Sequence, residues 1–216
     1  MVIKKISISC FRCFSNLNLE FSELNNFFFG PNGSGKTSVL EALYFCSTGR
    51  SFKSSNKNLC IQNKENSFQL KLETINRNRI KILKTINKPI YCEIDGQKAS
   101  SVDLFRTLPS TLLDSKIFSM FIDTPQYRRK ILDRCLMAAD KSYTKDFFSF
   151  HKALKQRNAA LKQNSKYGLD MWSEIFASSG SHLSKKREEL FQRTKKVFFS
   201  FSKHFSDKRV LDIINS

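Results

Sequence analysis

This sequence lacks the features that would place it in a membrane or outside the cell. No apolar run approaches the roughly 18 residues of a membrane span, and clusters such as residues 27–29 are short. The segment Met1–Lys5 has no apolar core followed by small residues, so it does not resemble a secretory signal. The six cysteines are scattered rather than spaced as a disulfide framework. These absences predict a reduced, cytoplasmic protein without membrane attachment.

Acidic residues are also scarce. The 216 residues carry 37 Lys and Arg against 19 Asp and Glu, so the formal net charge is +18. A surface of this charge attracts polyanions, chiefly nucleic acid. A second explanation stays open, because AT-rich codons favour Lys, Asn, Ile and Phe, and all four are abundant here. Hydrophobic residues still make up 40% of the chain, which predicts a packed core.

The hydrophobic pattern changes from a strand period to a helix period along the chain. Alternating apolar residues predict strands near residues 6–10 and 17–21 and an antiparallel group over residues 66–98. Asp95-Gly96 predicts a tight hairpin turn at the end of this group. The continuous apolar run at residues 27–29 is typical of a short strand buried on both faces. Helices are predicted from residue 124 onward, at residues 124–136, 143–163, 170–178 and 181–204.

The strongest motif is a complete G-x-x-x-x-G-K-[ST] phosphate loop after this apolar run. An amphipathic helix follows it, predicted over residues 36–48 with Gly49 as its C-terminal cap. Its predicted apolar face consists of Val39, Leu40, Leu43 and Tyr44. Backbone N–H groups of such a loop point at a bound anion, and the helix N-terminus adds partial positive charge. We expect Lys36 to reach the β- and γ-phosphates of ATP, and Thr37 to be a ligand of Mg²⁺. The predicted nucleotide-binding residues of the loop are Gly30, Pro31, Asn32, Gly33, Ser34, Gly35, Lys36 and Thr37.

Several further stretches accompany the phosphate loop in a characteristic order. The segment from Ile8 to Phe14 resembles the opening strand and Phe-Arg turn of ABC-type ATPases of chromosome maintenance and repair. Three more stretches are similar to the RecF family of bacterial recombination mediators: residues 49–54 (GRSFKS), 128–133 (RRKILD) and 155–158 (KQRN). The sequence therefore resembles the RecF family over nearly its whole length.

The resemblance implies an α/β fold, namely a P-loop ABC-type ATPase head with an antiparallel β side layer and a helical lobe. We expect the ATPase lobe at residues 1–115 and the helical lobe at residues 116–216. Residues 141–216 carry 16 basic and 7 acidic groups, so the helical lobe is the favoured polyanion surface. The resemblance also implies that Arg12 contacts the phosphate or adenine side of the nucleotide, although an exposed arginine at a strand end remains the alternative.

The resemblance further implies a function in genome maintenance. A protein of this type binds ATP, and single-stranded or linear duplex DNA, in recombinational repair and replication-fork maintenance after DNA damage and in the SOS response. It forms a nucleotide-dependent homodimer and cooperates with recombination mediator proteins. Two alternatives stay open: a decayed remnant that binds nucleotide without supporting repair, and a small P-loop kinase.

Two motifs that ATP hydrolysis requires in this superfamily are absent from the sequence. Residues 181–186 contain no glycine where a signature would need one, and residues 210–214 contain one acid rather than two. We therefore expect either a C-terminally truncated family member or a separate polypeptide that supplies the rest. Whether this chain is an enzyme is left open.

Three weaker patterns are also present in the sequence. Cys10 and Cys13 have the spacing of a zinc or redox pair, but no second pair exists, so we interpret them as structural cysteines. The aromatic run at residues 147–150 favours core packing over base stacking. The basic triplets at residues 128–130 and 185–187 either contact DNA phosphates or form solvated helix faces.

Overall fold

A computed structural model describes residues 2–113, 124–163 and 168–202. The chain forms two compact units, Met1–Asp114 and Ser115–Ser216. The predicted lobe boundary at residues 115 and 116 lies outside the described residues, as does the one-acid segment 210–214. None of the described helices combines the length and apolar character needed to cross a bilayer.

The first unit is built on a six-stranded antiparallel sheet. The antiparallel group predicted over residues 66–98 is confirmed, as are the two N-terminal strands. Asp95 and Gly96 both have positive φ (50° and 83°), as the predicted tight hairpin turn requires. The strands are β1 (Ile3–Phe11), β2 (Phe14–Glu20), β3 (Ser67–Thr74), β4 (Arg79–Thr85), β5 (Tyr91–Ile94) and β6 (Gln97–Lys98). In the sheet they lie in the order β2-β1-β3-β4-β5-β6.

One face of this sheet forms the core of the first unit. Ile8 of β1 lies opposite Leu70 of β3, which lies opposite Ile82 of β4, and all three side chains are buried. The strand alternation therefore turns every second residue inward. Three aromatic rings meet edge to face in this core: Phe11, Phe45 and Phe68.

The helix after the phosphate loop, α1 (Lys36–Thr48), packs on the sheet and ends at Gly49. Gly49 has φ 65°, and its N–H donates to the Phe45 carbonyl, as predicted for the cap. The predicted buried face (Val39, Leu40, Leu43 and Tyr44) is wrong in part, because Leu40 is 45% exposed. The inward stripe instead follows the helical period through Val39, Ala42, Phe45 and Cys46. Glu41, on the same helix, is also fully buried.

Two shorter helical segments complete the first unit. A 3-10 helix spans Lys57–Cys60, and α2 spans Ser101–Thr107. The sequence analysis missed α2. Its signal was a capping box, in which the Ser100 hydroxyl and the Asp103 carboxylate each accept a hydrogen bond from the other residue's backbone N–H.

Residues 27–29 do not form the predicted buried strand. The segment pairs with no strand of the described sheet, and Phe27 and Phe29 are 83% and 91% exposed. Only Phe28 packs inward, with its ring 6.4 Å from that of Phe21. A strand is buried on both faces only when neighbouring strands and covering layers exist, and the described residues supply neither here.

The second unit consists of helices. Two helices were predicted over residues 170–178 and 181–204, but a single helix spans this region. Ser178 and Ser179 do not break it, because both hydroxyls donate to the Ile175 carbonyl within the helix. Gly180 packs closely against Phe150, since a Cβ at Gly180 would lie 3.1 Å from the Phe150 ring, which would have to shift slightly. The helices are α3 (Pro125–Ala139), α4 (Lys141–Lys162) and α5 (Leu169–Ser202).

A buried polar cluster joins the three helices of the second unit. Tyr143 of α4 is fully buried, and its hydroxyl donates to Asp133 of α3 at 2.6 Å. Arg187 of α5 donates to both oxygens of the same carboxylate, at 2.6 and 3.0 Å. One carboxylate therefore holds all three helices in register.

Candidate nucleotide-binding site

The phosphate loop occupies the turn between residue 29 and α1. Three of its glycines adopt positive φ, which other residues rarely do: Gly30 at 146°, Gly33 at 85° and Gly35 at 94°. Gly35 is also sterically required, since a Cβ there would lie 2.4 Å from the ring of Phe14 and 3.0 Å from the sulfur of Cys13. The loop conformation thus depends on glycine at the predicted positions.

The loop leaves a group of backbone donors available. The amides of Gly33, Gly35 and Lys36 make no hydrogen bond to any residue in the described ranges, whereas Ser34 donates to the Pro31 carbonyl at 3.3 Å. The amides of Ser38 and Val39 donate back to Gly35, which starts the helix. Free amides at a helix N-terminus are the arrangement that binds phosphate.

Lys36 lies within the loop rather than projecting into solvent. Its Nζ donates to the carbonyls of Gly30 and Pro31, each at 2.7 Å. The ammonium group is therefore held beside the free amides of the loop. An incoming phosphate would meet a positive charge already in position.

The loop forms one wall of a cavity of about 710 Å³. This volume falls within the range of sites that hold a ligand of nucleotide size. The remaining lining residues come from the turn between β1 and β2 and from residues 53–63. The lining residues are Arg12, Cys13, Asn32, Gly33, Gly35, Lys36, Thr37, Ser38, Lys53, Leu59, Ile61, Gln62 and Asn63.

Arg12 lines this cavity and is held by an acid beneath it. Its Nε and Nη2 donate to the two oxygens of Glu41 at 2.9 and 2.7 Å, and Nη1 donates to the Leu59 carbonyl at 2.7 Å. Ser51 donates to the same carboxylate. Burial alone would raise the pKa of Glu41, but the hydrogen bonds from Arg12 and Ser51 hold that pKa below its usual value.

The sequence analysis missed Glu41. A single acid inside an amphipathic helix is typical of a solvent-facing position, and its partner Arg12 lies 29 residues earlier. No local pattern connects two such residues. The hairpin of β1 and β2, together with α1, brings them into contact.

Thr37 fits the predicted magnesium role. It is exposed at the first turn of α1, lines the cavity, and its hydroxyl bonds to no described residue. Magnesium binds hard oxygen ligands and often takes only one or two from the protein, with the rest from phosphates and water. Among the described lining residues there is no Asp or Glu. Thr37 thus offers an exposed hydroxyl oxygen at the predicted position, in a cavity whose other side-chain oxygens belong to Asn32, Ser38, Gln62 and Asn63.

The weaker sequence patterns are distributed over both units. Cys10 is half-buried and Cys13 is exposed, and the described residues contain no group of three or more His, Cys, Asp or Glu side chains suited to a metal. Phe150 stacks on Phe176 at 4.8 Å, as core packing requires, whereas Phe148 is 57% exposed.

The two basic triplets differ in their surroundings. Residues 128–130 are exposed on α3. In the second triplet, Lys185 is exposed, but Lys186 pairs with Asp140 at 3.4 Å and Arg187 pairs with Asp133. The second triplet therefore offers less free charge than its sequence indicates.

Comparison with known proteins identifies the family of this chain. The family model described as "AAA domain" matches residues 5–209. A curated protein of Lachnoclostridium phytofermentans, named "DNA replication and repair protein RecF", is 31% identical over 99% of this chain. A protein of the same name from Francisella tularensis is also 31% identical over 99% of the chain. This chain spans 62% of the length of each of these relatives.

Solved structures agree with the fold. One, described as the recombination mediator protein RecF with ATP in the RecFOR pathway, superposes with a TM-score of 0.85 at 26% identity. The match covers 95% of this chain and 58% of that chain. An SMC ATPase structure matches 62% of this chain and 99% of its own with a TM-score of 0.50 at 17% identity, a likeness of fold.

These likenesses confirm the predicted fold class, an α/β P-loop ATPase head. The chain accordingly belongs to the AAA domain family, and within it to the RecF type of the ABC/SMC ATPases.

Proposed function

We propose that this chain binds Mg-ATP in the cavity beside the phosphate loop and binds DNA in recombinational repair and replication-fork maintenance. The observation that carries the nucleotide part is the set of free amides at Gly33, Gly35 and Lys36, with the Lys36 ammonium beside them. Fixed donors of this kind bind a triphosphate without reorganising. Arg12, on the facing wall, is proposed to contact the nucleotide as well.

The nucleotide part is tested by calorimetric titration of Mg-ATP. Wild-type protein should bind, and its thermal stability should rise with the logarithm of the Mg-ATP concentration above the Kd. Lys36→Ala should abolish binding, whereas Lys98→Ala, which removes an exposed lysine from β6, should leave it unchanged. Equal binding by wild type and Lys36→Ala would contradict the assigned role of the loop.

The DNA part is supported by the charge of the chain, which is +18 overall. We propose single-stranded and linear duplex DNA as ligands, contacted through phosphates rather than base edges. Fluorescence anisotropy of a labelled oligonucleotide should report binding that weakens steeply with salt. If no DNA binding is seen at low salt, the alternative of a decayed remnant that binds only nucleotide would be favoured.

The assembly part concerns partners. We propose a nucleotide-dependent homodimer that works with recombination mediator proteins in the cytoplasm. Light scattering with and without Mg-ATP measures the molecular mass in solution directly. A monomer mass in both conditions would contradict the proposed homodimer. A phosphotransfer assay with nucleoside monophosphates tests the kinase alternative, which requires product formation that Lys36→Ala abolishes.

A further inference from the structure

Glu41 of α1 is a fully buried acid that does not line the nucleotide cavity but pairs with Arg12, which does. Its carboxylate also accepts a hydrogen bond from Ser51, and the thiol of Cys60 lies 3.8 Å away. Replacing a whole buried ion pair with apolar groups is often neutral or stabilising, so stability alone is a weak reason for such a pair. What this pair does supply is a fixed side-chain geometry at the cavity wall.

The pairing leaves part of the Arg12 guanidinium available to a ligand. Nε and Nη2 donate to the two oxygens of Glu41 at 2.9 and 2.7 Å, and Nη1 donates to the Leu59 carbonyl at 2.7 Å. Each terminal nitrogen of an arginine carries two N–H bonds, so one on Nη1 and one on Nη2 remain beyond these three hydrogen bonds. The side chain keeps 22% of its surface exposed. Glu41 therefore orients the guanidinium without consuming all of its donors.

The backbone of Arg12 is held as well. Its φ is 54°, in the left-handed region that residues other than glycine rarely adopt. Its N–H donates to the Cys60 carbonyl at 2.8 Å. Residues in this region persist where the surrounding structure fixes them, and they are concentrated at functional sites. Both the main chain and the side chain of Arg12 are thus fixed before a ligand binds.

The Glu41 carboxylate is itself fixed from a third segment. The Ser51 hydroxyl donates to it and accepts hydrogen bonds from the amides of Lys53 and Ser54, at 2.9 and 3.0 Å. A carboxylate restrained on one side by Ser51 presents its remaining acceptor positions to Arg12 in one orientation. The position of the guanidinium therefore depends on Glu41, which sequence patterns did not connect with the cavity.

We propose that Glu41 is a positioning residue for nucleotide binding, which acts by holding the Arg12 guanidinium in place in the cavity. This inference rests on the proposed Mg-ATP binding and on the proposed contact of Arg12 with the nucleotide. A side chain that is ordered in advance loses less conformational entropy on binding, and a fixed cation needs no reorganisation to meet an anion. Glu41 touches no nucleotide in this arrangement, so its effect on affinity passes through Arg12.

The first test is Glu41→Gln in a calorimetric titration with Mg-ATP. Glutamine keeps the size of the side chain, but it has one acceptor oxygen and cannot accept from both Nε and Nη2 of Arg12 as the carboxylate does. We expect the Kd for Mg-ATP to rise about threefold to tenfold, the range for immobilising one long side chain. Glu20→Gln, which neutralises an exposed carboxylate at the end of β2, is the matched control and should bind like wild type. Thermal unfolding without nucleotide verifies that each variant is folded.

A second comparison separates positioning from a general structural role. In an Arg12→Gln background, Glu41→Gln should leave the Kd nearly unchanged, because no guanidinium remains to be positioned. Where Arg12→Gln alone does not fold, Glu41→Gln is compared with Arg12→Gln/Glu41→Gln, in which two neutral side chains replace the buried pair. Closely similar Kd values for these two variants support the proposal, since they show that Arg12 contributes to binding only when Glu41 holds it.

Three outcomes overturn the proposal, and they are distinguishable. If Glu41→Gln binds Mg-ATP as tightly as wild type or more tightly, Glu41 does not position Arg12 for the nucleotide, although nucleotide binding stands. If Glu41→Gln weakens binding equally with and without Arg12, or if the double variant binds far more weakly than Glu41→Gln, the effect does not pass through Arg12. If wild type binds no Mg-ATP, the proposed function fails together with this inference.

Discussion

The guanidinium of Arg12, which lines the nucleotide cavity, donates from Nε and Nη2 to the two carboxylate oxygens of Glu41, which has no exposed surface. This paired geometry fixes the arginine at the end of β1 against the helix of the phosphate loop. The same carboxylate accepts from Ser51, so three separate segments meet at one buried acid. The cavity wall, the phosphate-loop helix and the loop that follows this helix therefore share one buried carboxylate as their anchor.

Removing Arg12 should destabilise the first unit. In Arg12→Ala the Glu41 carboxylate loses its guanidinium partner while buried, and we expect a loss on the order of 3 kcal/mol in the free energy of unfolding. Chemical denaturation measures it. Lys4→Ala, which removes an exposed ion pair with Glu73, is the control and should cost well under about 1 kcal/mol. Equal small effects from both variants would show that the buried pair contributes little.

The same pair makes stability depend on pH in a defined direction. The folded-state pKa of Glu41 lies below its usual value, so its contribution is fully present above the unfolded pKa and is lost as pH falls through the folded pKa. In Arg12→Ala, burial dominates and the pKa of Glu41 should rise. The difference in unfolding free energy between wild type and Arg12→Ala should therefore shrink as pH falls, because protonation removes the penalty of the buried, unpaired Glu41 carboxylate. A difference that stays constant between neutral and acid pH would count against this account.

Gly35→Ala should disrupt the phosphate loop. The residue has φ 94°, and its new Cβ would lie 2.4 Å from the Phe14 ring, which must then move. Backbone strain alone costs roughly 1–3 kcal/mol. Gly33→Ala is the control, because φ is 85° there but no atom lies within 4 Å of the added Cβ. Thermal unfolding should rank Gly35→Ala below Gly33→Ala, and identical midpoints would refute the steric argument.

Tyr143→Phe should weaken the second unit. The substitution removes the hydroxyl that donates to Asp133, so this oxygen of the buried carboxylate keeps only its hydrogen bond from Arg187. We expect a cost of about 1–3 kcal/mol in the free energy of unfolding. Tyr91→Phe is the control, because Tyr91 is 37% exposed and its hydroxyl bond to Glu93 can be replaced by water. A larger loss from Tyr91→Phe would be inconsistent with the buried cluster.

Asp140 should contribute a second acid-sensitive feature. It caps α4, and hydrogen bonds from Ser142 and Tyr143 lower the pKa of Asp140 to about 2. Its contribution is complete above its unfolded pKa of about 3.9 and is lost as pH falls toward the folded value. Asp140→Asn keeps a capping side chain without the charge, so its unfolding midpoint should lose this pH dependence, whereas Asp140→Ala should lower the midpoint at neutral pH. Equal midpoints for Asp140→Ala and wild type at neutral pH would argue against a capping role.

Local patterns were enough to predict several elements. The phosphate loop, the helix capped by Gly49 and the Asp95-Gly96 hairpin each depend on residues close in sequence, because positive φ at glycine and the helical period are local properties. The break predicted near Ser178 failed because its hydroxyl bonds within the helix. The tendency of the Ser-Ser-Gly stretch to end a helix was outweighed there by contacts of the folded helix, including the close packing of Gly180 on Phe150.

The amino-acid sequence alone determined that a phosphate loop precedes α1, that the neighbouring strands pair antiparallel, and that the chain is strongly basic. The tertiary structure alone decided which helix face is buried, that residues 27–29 stay exposed, and that Glu41 anchors Arg12 and Ser51. Burial and ion pairing depend on residues distant in the chain that folding brings into contact. Those contacts have no period or spacing that a linear pattern can reveal.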